Sequence, residues 1–174
     1  MEKKQKIILG AIIAIILIAA ILLIIFWPSD YNRVYNKQYT DCTEQNKDTY
    51  FTLMAKRTSD EIYCTQNNKI SEKCLAFATK NPQLYCIDIE DEKSMASCYA
   101  EVLQEASKCP ADDNWCLAFS SGDPKFCDRL TEIDVLECKR LLPQNAEYWI
   151  SEEAEKECRE MAERAANSLL EPLK

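Results

Sequence analysis

Ten cysteines, all between residues 42 and 158, constrain this chain more than any other feature. Eight of them fall in one block. Its leading cysteines are Cys64, Cys86, Cys109 and Cys127, and its second cysteines are Cys74, Cys98, Cys116 and Cys138. Like positions recur every 18 to 24 residues, and each second cysteine opens an apolar stretch: "CLAFA", "CYAEVL", "CLAF" and "CKRLL". The phrase "CLAFATKNPQLYC" returns as "CLAFSSGDPKFC". A period in this range points to stacked supersecondary units. Ten is an even number, and five disulfides follow if the block lies in an oxidising compartment.

Two nearest-neighbour registers are available. One pairs Cys64 with Cys74, Cys86 with Cys98, Cys109 with Cys116, and Cys127 with Cys138. The other pairs Cys74 with Cys86, Cys98 with Cys109, and Cys116 with Cys127. A bridge needs Cα atoms within ~7 Å, so the chain must reverse near its midpoint. Midpoints of the first register fall near Asn68, at Asp91–Glu92, at Asp112 and at Thr131, all polar and turn-like. In the second, the 98–109 midpoint falls inside "CYAEVLQEASKC", where no breaker occurs. A helix there would hold the two residues ~16 Å apart. The first register is favoured, and it leaves Cys42 and Cys158 to form a long-range bridge.

The compartment follows from residues 7–27, "IILGAIIAIILIAAILLIIFW", which carry no charge. As a helix they would span ~31 Å, about the thickness of a bilayer's hydrocarbon core. Lys3, Lys4 and Lys6 precede the run, and a positive flank stays in the cytoplasm. Trp27 stands where an interfacial aromatic would, and Pro28 is expected to break the helix. A cleaved signal peptide would have a shorter apolar region and end on small residues, so an uncleaved anchor is favoured. The localisation expected is a single-pass protein of the cell membrane, N-terminus cytoplasmic and C-terminal domain extracytoplasmic. Residues 1–27 carry a net +2, which leaves −10 on the remaining 147.

With one glycine beyond the apolar run and little β-branched alternation, the outer part reads as helix. The expected organisation is a cytoplasmic stub at 1–6, a transmembrane anchor at 7–27 and a stalk helix at 28–57. A cysteine-rich block of helical hairpins follows at 58–142, then a C-terminal helix region at 143–174, packed on the stalk or the repeats. Helix starts are expected at Ser29, at Thr58 with Glu61 as a capping box, at Ser71, at Asp123–Pro124, at Thr131 and at Ser151. Gly122 suits a helix C-terminus. Cys158, Met161, Ala162, Ala165 and Leu169 share one face of the last helix. The fold class is all-α: a transmembrane helix and stalk followed by disulfide-stapled tandem hairpins. A chain of this length can also bury an apolar core, so the disulfides are expected to add to packing rather than to replace it.

Chemistry is bounded mostly by exclusion. The absence of histidine removes triad and imidazole acid–base catalysis. The shortest cysteine separation, "CPADDNWC", lacks the C-x-x-C spacing of redox catalysts and the paired spacing of zinc sites. "IDIEDEK" is acidic but has none of the glycine a calcium loop needs. Phosphate-cradling loops need glycines that the chain does not have. No catalytic residue, cofactor or metal is therefore expected, and the negative outer domain disfavours nucleic acid. Trp115, Tyr148 and Trp149 are the candidate partner contacts, with core packing as their commoner fate.

An N-terminal anchor, an acidic helical outer domain and C-x6–11-C-[LYK] repeats over residues 60–142 together resemble the uncharacterised cysteine-rich membrane proteins of archaeal genomes. The resemblance implies a secreted helical-repeat module without known chemistry. The function expected is non-enzymatic: an extracytoplasmic repeat domain for protein–protein interaction or scaffolding, with an unidentified protein partner and room for homo-oligomers. Its rivals are an accessory subunit of a larger membrane complex, a hydrolase using clustered carboxylates, and a pilin-like filament subunit.

Overall fold

The computed structural model describes residues 2–66 and 71–168, and among these it is all-helical, with no strand. Six α-helices, α1 Glu2–Thr58, α2 Glu72–Thr79, α3 Glu92–Leu103, α4 Asn114–Ser121, α5 Glu132–Arg140 and α6 Glu152–Asn167, alternate with five 3₁₀ helices. The 3₁₀ helices are η1 Glu61–Thr65, η2 Pro82–Leu84, η3 Ala106–Lys108, η4 Cys127–Arg129 and η5 Pro143–Ile150. The chain divides into two units, residues 43–156 and residues 1–42 with 157–174.

Within residues 43–156 one device is repeated four times, between the end of α1 and the start of η5. A cysteine in a 3₁₀ turn, or one or two residues after it, is bonded to the α-helix that follows: Cys64–Cys74, Cys86–Cys98, Cys109–Cys116 and Cys127–Cys138. Cα–Cα separations are 5.5 to 5.9 Å. These are the pairs of the first register. Three of its midpoints lie on or beside helix N-caps, Asp91, Asp113 and Thr131. The midpoint near Asn68 lies outside the described residues. Asp91 accepts from Ser94 N at 2.7 Å, and Asp113 accepts from Cys116 N at 2.9 Å and from the Ser97 hydroxyl at 2.6 Å. Ser71 caps α2 as expected.

Each copy begins with a left-handed residue. Ser59, Lys80, Gln104 and Gly122 have φ of 55°, 52°, 59° and 72° and stand five, six, five and five residues ahead of Cys64, Cys86, Cys109 and Cys127. Each ends one α-helix and turns the chain into the next 3₁₀ segment. Two expected starts are corrected by this geometry. The cap after α1 is Asp60, accepting from Ile62 N, and not a Thr58–Glu61 box. No helix begins at Pro124; Asp123 accepts from Lys125 N at 3.0 Å in a tight turn leading to η4. In both cases a side chain beside the left-handed residue captures the first free amide.

The buried interior is also not the expected one. The largest fully buried side chains are Leu142, Val102 and six half-cystines, and most of the rest are alanines. Apolar packing forms four small clusters, and three contain a complete disulfide. Short helices present little apolar surface, so the disulfides constitute much of the core instead of supplementing it.

In the other unit, Cys42 of α1 is bonded to Cys158 of α6 across 116 residues of chain. Cys158, Ala162 and Ala166 are fully buried and form an i, i+4, i+8 stripe. Their small size lets α6 approach the half-buried face of α1, where Tyr31, Tyr35 and Tyr39 stack with ring centroids 6.4 and 6.1 Å apart. Ser151 caps α6 through Ala154 N at 3.2 Å. Leu169 lies outside the described residues.

The expected break at Pro28 does not occur, because α1 runs through it without interruption. Proline deletes one backbone donor, so one rung is lost from a ladder that continues on both sides. Within residues 7–27, side chains are described for 15–19, 21 and 22, and they are exposed, from 47 % at Leu22 to 66 % at Ile15. Among the described residues no helix is long and apolar enough to cross a membrane. The expected span, with Trp27 at its edge, therefore falls largely outside the described side chains.

Two measurements follow. Gly122→Ala should lower the unfolding free energy by about 1–2 kcal/mol, since only φ resists it; the new Cβ would stand 3.7 Å from Gln144 Oε1, an ordinary contact. Lys80→Gly should raise it by up to about 1 kcal/mol by relieving the same strain. Both are read from urea midpoints. Replacing Cys42 and Cys158 by serine removes a constraint worth about 5 kcal/mol on a loop of this length. α6 should then become the first site of limited proteolysis, with the four local disulfides still recovered intact by non-reducing peptide mapping.

Candidate functional site: a lysine–glutamate cleft

Near its end α1 carries Lys56 on the face it turns toward α2, α3 and α4. Lys56 is only 5 % exposed. It forms the floor of a cleft of about 330 Å³, with Lys73 and Phe77 of α2, Glu101 of α3 and Phe119 of α4 in its walls. Every one of the four disulfide-stapled copies contributes at least one lining residue, Leu141 being that of the fourth.

The lysine is held from three sides. Its Nζ donates to the Phe119 carbonyl at 2.5 Å. That carbonyl belongs to the last turn of α4, where helical carbonyls have no intrahelical partner and the dipole favours a cation. The Phe77 and Phe119 rings stand 5.0 and 5.8 Å from Nζ, within cation–π range. Gln104, the left-handed residue ending α3, donates from Nε2 to the Lys56 carbonyl at 2.8 Å. One ammonium carries three donors, and the Phe119 carbonyl takes one.

Glu101 faces the same cleft. Among the described residues its carboxyl takes part in no hydrogen bond and no ion pair, so Lys56 and Glu101 share a low-dielectric space without touching. Burial pushes the Lys56 ammonium down from 10.5 to about 8; the Glu101 charge opposes that fall and Lys73 adds to it. Burial pushes the Glu101 carboxyl up from 4.5 to about 7, against the attraction of Lys56 and Lys73 and with Asp113 adding to the rise. Lys73, whose ammonium lies 5.7 Å from the Tyr85 ring, and Glu101 also line a neighbouring hollow of about 340 Å³ with Lys93, Ser97 and Asp113. Such a site can hold compact polar groups of either sign. Among the described residues no three Cys, His, Asp or Glu side chains are grouped to hold a metal ion.

The residues singled out from the sequence lie elsewhere. All ten cysteines are in disulfides and none is free. Trp115 is half-buried and packs on Phe119, centroids 5.2 Å apart. Trp149 is half-buried beside Leu53 and Met54 and donates from Nε1 to the Arg140 carbonyl at 3.0 Å. Tyr148 lies beneath the Arg140 guanidinium at 4.3 Å. Lys56 and Glu101 went unselected. Their one signal is a charge at an apolar position: Lys56 follows Leu53 by three residues, and Glu101 follows Cys98 by three.

No family model, no curated protein and no solved structure matches the chain.

The two groups give stability opposite slopes with pH. Glu101 binds a proton more tightly in the folded state, so its contribution is full below 4.5 and is lost as pH rises through about 7. Lys56 binds its proton less tightly when folded, so stability recovers as pH rises from about 8 to 10.5. The pair therefore contributes least between about 7 and 8. Urea unfolding across pH should show Glu101→Gln flattening the fall between 4.5 and 7, and Lys56→Met flattening the rise above 8. Parallel curves for wild type and both variants would show that neither group is buried in this way.

Proposed function

We propose that this protein is a single-pass membrane protein that displays a disulfide-stapled helical domain outside the cytoplasm, where the domain binds rather than catalyses. The observation that carries the reading is the conjunction of an uncharged 21-residue run with five disulfides confined to the chain beyond it. Disulfides persist in oxidising compartments, and a basic flank at Lys3, Lys4 and Lys6 directs the chain beyond the run into one. The exposure of Ile15 to Ile18, Ile21 and Leu22 supports the same reading. Apolar side chains left unpacked along a helix call for a non-aqueous surrounding.

Two features support binding over hydrolysis. Glu101 has two ammonium groups, Lys56 and Lys73, beside Asp113 as its charged neighbours, a mixed arrangement for holding charge rather than an isolated pair of carboxylates. Leu84, Tyr85 and Ile87, at and after η2, are 39 %, 42 % and 63 % exposed and give the repeat block an apolar contact surface for a protein partner.

Alkaline extraction of native membranes tests the anchor. The full chain is expected to stay in the membrane pellet, and a variant with four lysines spread through residues 12–22 to be released. External protease should degrade the cysteine block in spheroplasts without permeabilisation. Release of the wild type by alkali, or protection of the block from external protease, overturns the reading.

A further inference from the structure

The Lys56 cleft contains an ammonium and a carboxyl that do not pair with each other, set among two phenylalanine rings. Charges drawn partly out of water without a partner are costly, and a partner of opposite sign is the ordinary remedy. Here both signs are present. Lys56 has donors beyond the one given to the Phe119 carbonyl, and Glu101 has acceptors without a donor. A ligand with a single charge would satisfy one group and repel the other. A ligand with both charges, a short distance apart on an apolar body, satisfies both at once.

We infer that the cleft is a binding site for a small zwitterion with an apolar body, of the class of free α-amino acids with aliphatic or aromatic side chains. The carboxylate meets Lys56, with Lys73 at the wall adding to the attraction. The ammonium meets Glu101. The side chain lies on Phe77 and Phe119. A volume of about 330 Å³ suits one compact ligand and sits at the small end of ligand pockets. This site depends on the disulfides that hold its walls and not on the anchor, so a failure of the membrane reading leaves it untouched wherever those bonds are formed.

The occupied site needs Lys56 protonated and Glu101 ionised. The charged groups around Lys56 are Glu101 on α3 and Lys73 on α2, and Asp48 on α1 lines the same cleft; those around Glu101 are Lys56, Lys73 and Asp113. Burial sets the two protonation equilibria so that the competent state is best populated between about 7 and 8. Affinity should therefore pass through a maximum there and fall toward pH ~5 and pH ~10.

The test is calorimetric titration of the full chain, disulfides intact and solubilised in detergent, with L-leucine and L-phenylalanine. N-acetyl-L-phenylalanine lacks the ammonium and L-phenylalaninamide lacks the carboxylate, and each is expected to bind at least about tenfold more weakly. Glu101→Gln should abolish the preference for free over N-acetylated ligand. Lys56→Met should abolish the preference for free ligand over the amide, and the blocked ligands on wild-type protein decide the matter even if that variant misfolds. N-acetyl-L-phenylalanine binding as tightly as phenylalanine would make this a plain carboxylate site and overturn the proposal. So would an absence of binding up to about 10 mM of both amino acids.

Discussion

Each helix of the cysteine-rich block depends on a bond to the 3₁₀ turn before it. α2, α4 and α5 have eight, eight and nine residues. Isolated helices that short do not persist in water. Nor does apolar packing make up the difference, since the buried positions are chiefly alanine and half-cystine. Closing a loop of 7 to 12 residues removes unfolded-state entropy worth about 2 to 3 kcal/mol on the chain-entropy account. Four such closures supply what a larger apolar core would otherwise supply. They also fix the direction in which each helix leaves its turn.

That second effect is what makes the cleft. Cys64–Cys74 holds the helix bearing Lys73 and Phe77. Cys86–Cys98 holds the helix bearing Glu101, and Cys109–Cys116 the helix bearing Phe119. A charged lysine is tolerated beneath them because the end of α4 is held where its free carbonyl can meet the ammonium. A looser set of helices would let water in and return Lys56 and Glu101 to ordinary titration. The repetition that looked purely constructional in the sequence thus also assembles the one strongly perturbed pair of ionisable groups among the described residues.

Much of this construction was legible because disulfide geometry is demanding. Two Cα atoms under 6 Å apart require a reversal between them, and reversals need residues that release the helix. Asp91, Asp112 and Thr131 announced those reversals, the cap itself falling one residue later at Asp113 in the third. The chain's left-handed residues did not announce themselves, apart from Gly122. Ser59, Lys80 and Gln104 take positive φ against their own preference, imposed by the staple five or six residues later. Pro28 misled for a related reason: a breaker's local cost was weighed without the long ladder around it. Lys56 and Glu101 were passed over because helical periodicity tells which face a residue occupies and not how deeply it is covered. A lysine at an apolar position reads as a stem lying along the surface with its head in water. Only the meeting of α4 with α1 removes that water.

The disulfides thereby connect the compartment to the chemistry of the cleft. In a reducing environment the turn–helix bonds open, and the walls carrying Lys73, Phe77, Glu101 and Phe119 lose the constraint that orders them. The Phe119 carbonyl then no longer has a fixed place, and Lys56 has no reason to stay buried. Phe77 and Phe119 would separate, leaving an ammonium that water solvates better than two rings do. A perturbed Lys56–Glu101 pair is therefore a property of the oxidised protein alone. The same bonds that hold the fold are therefore required for any binding that depends on this pair.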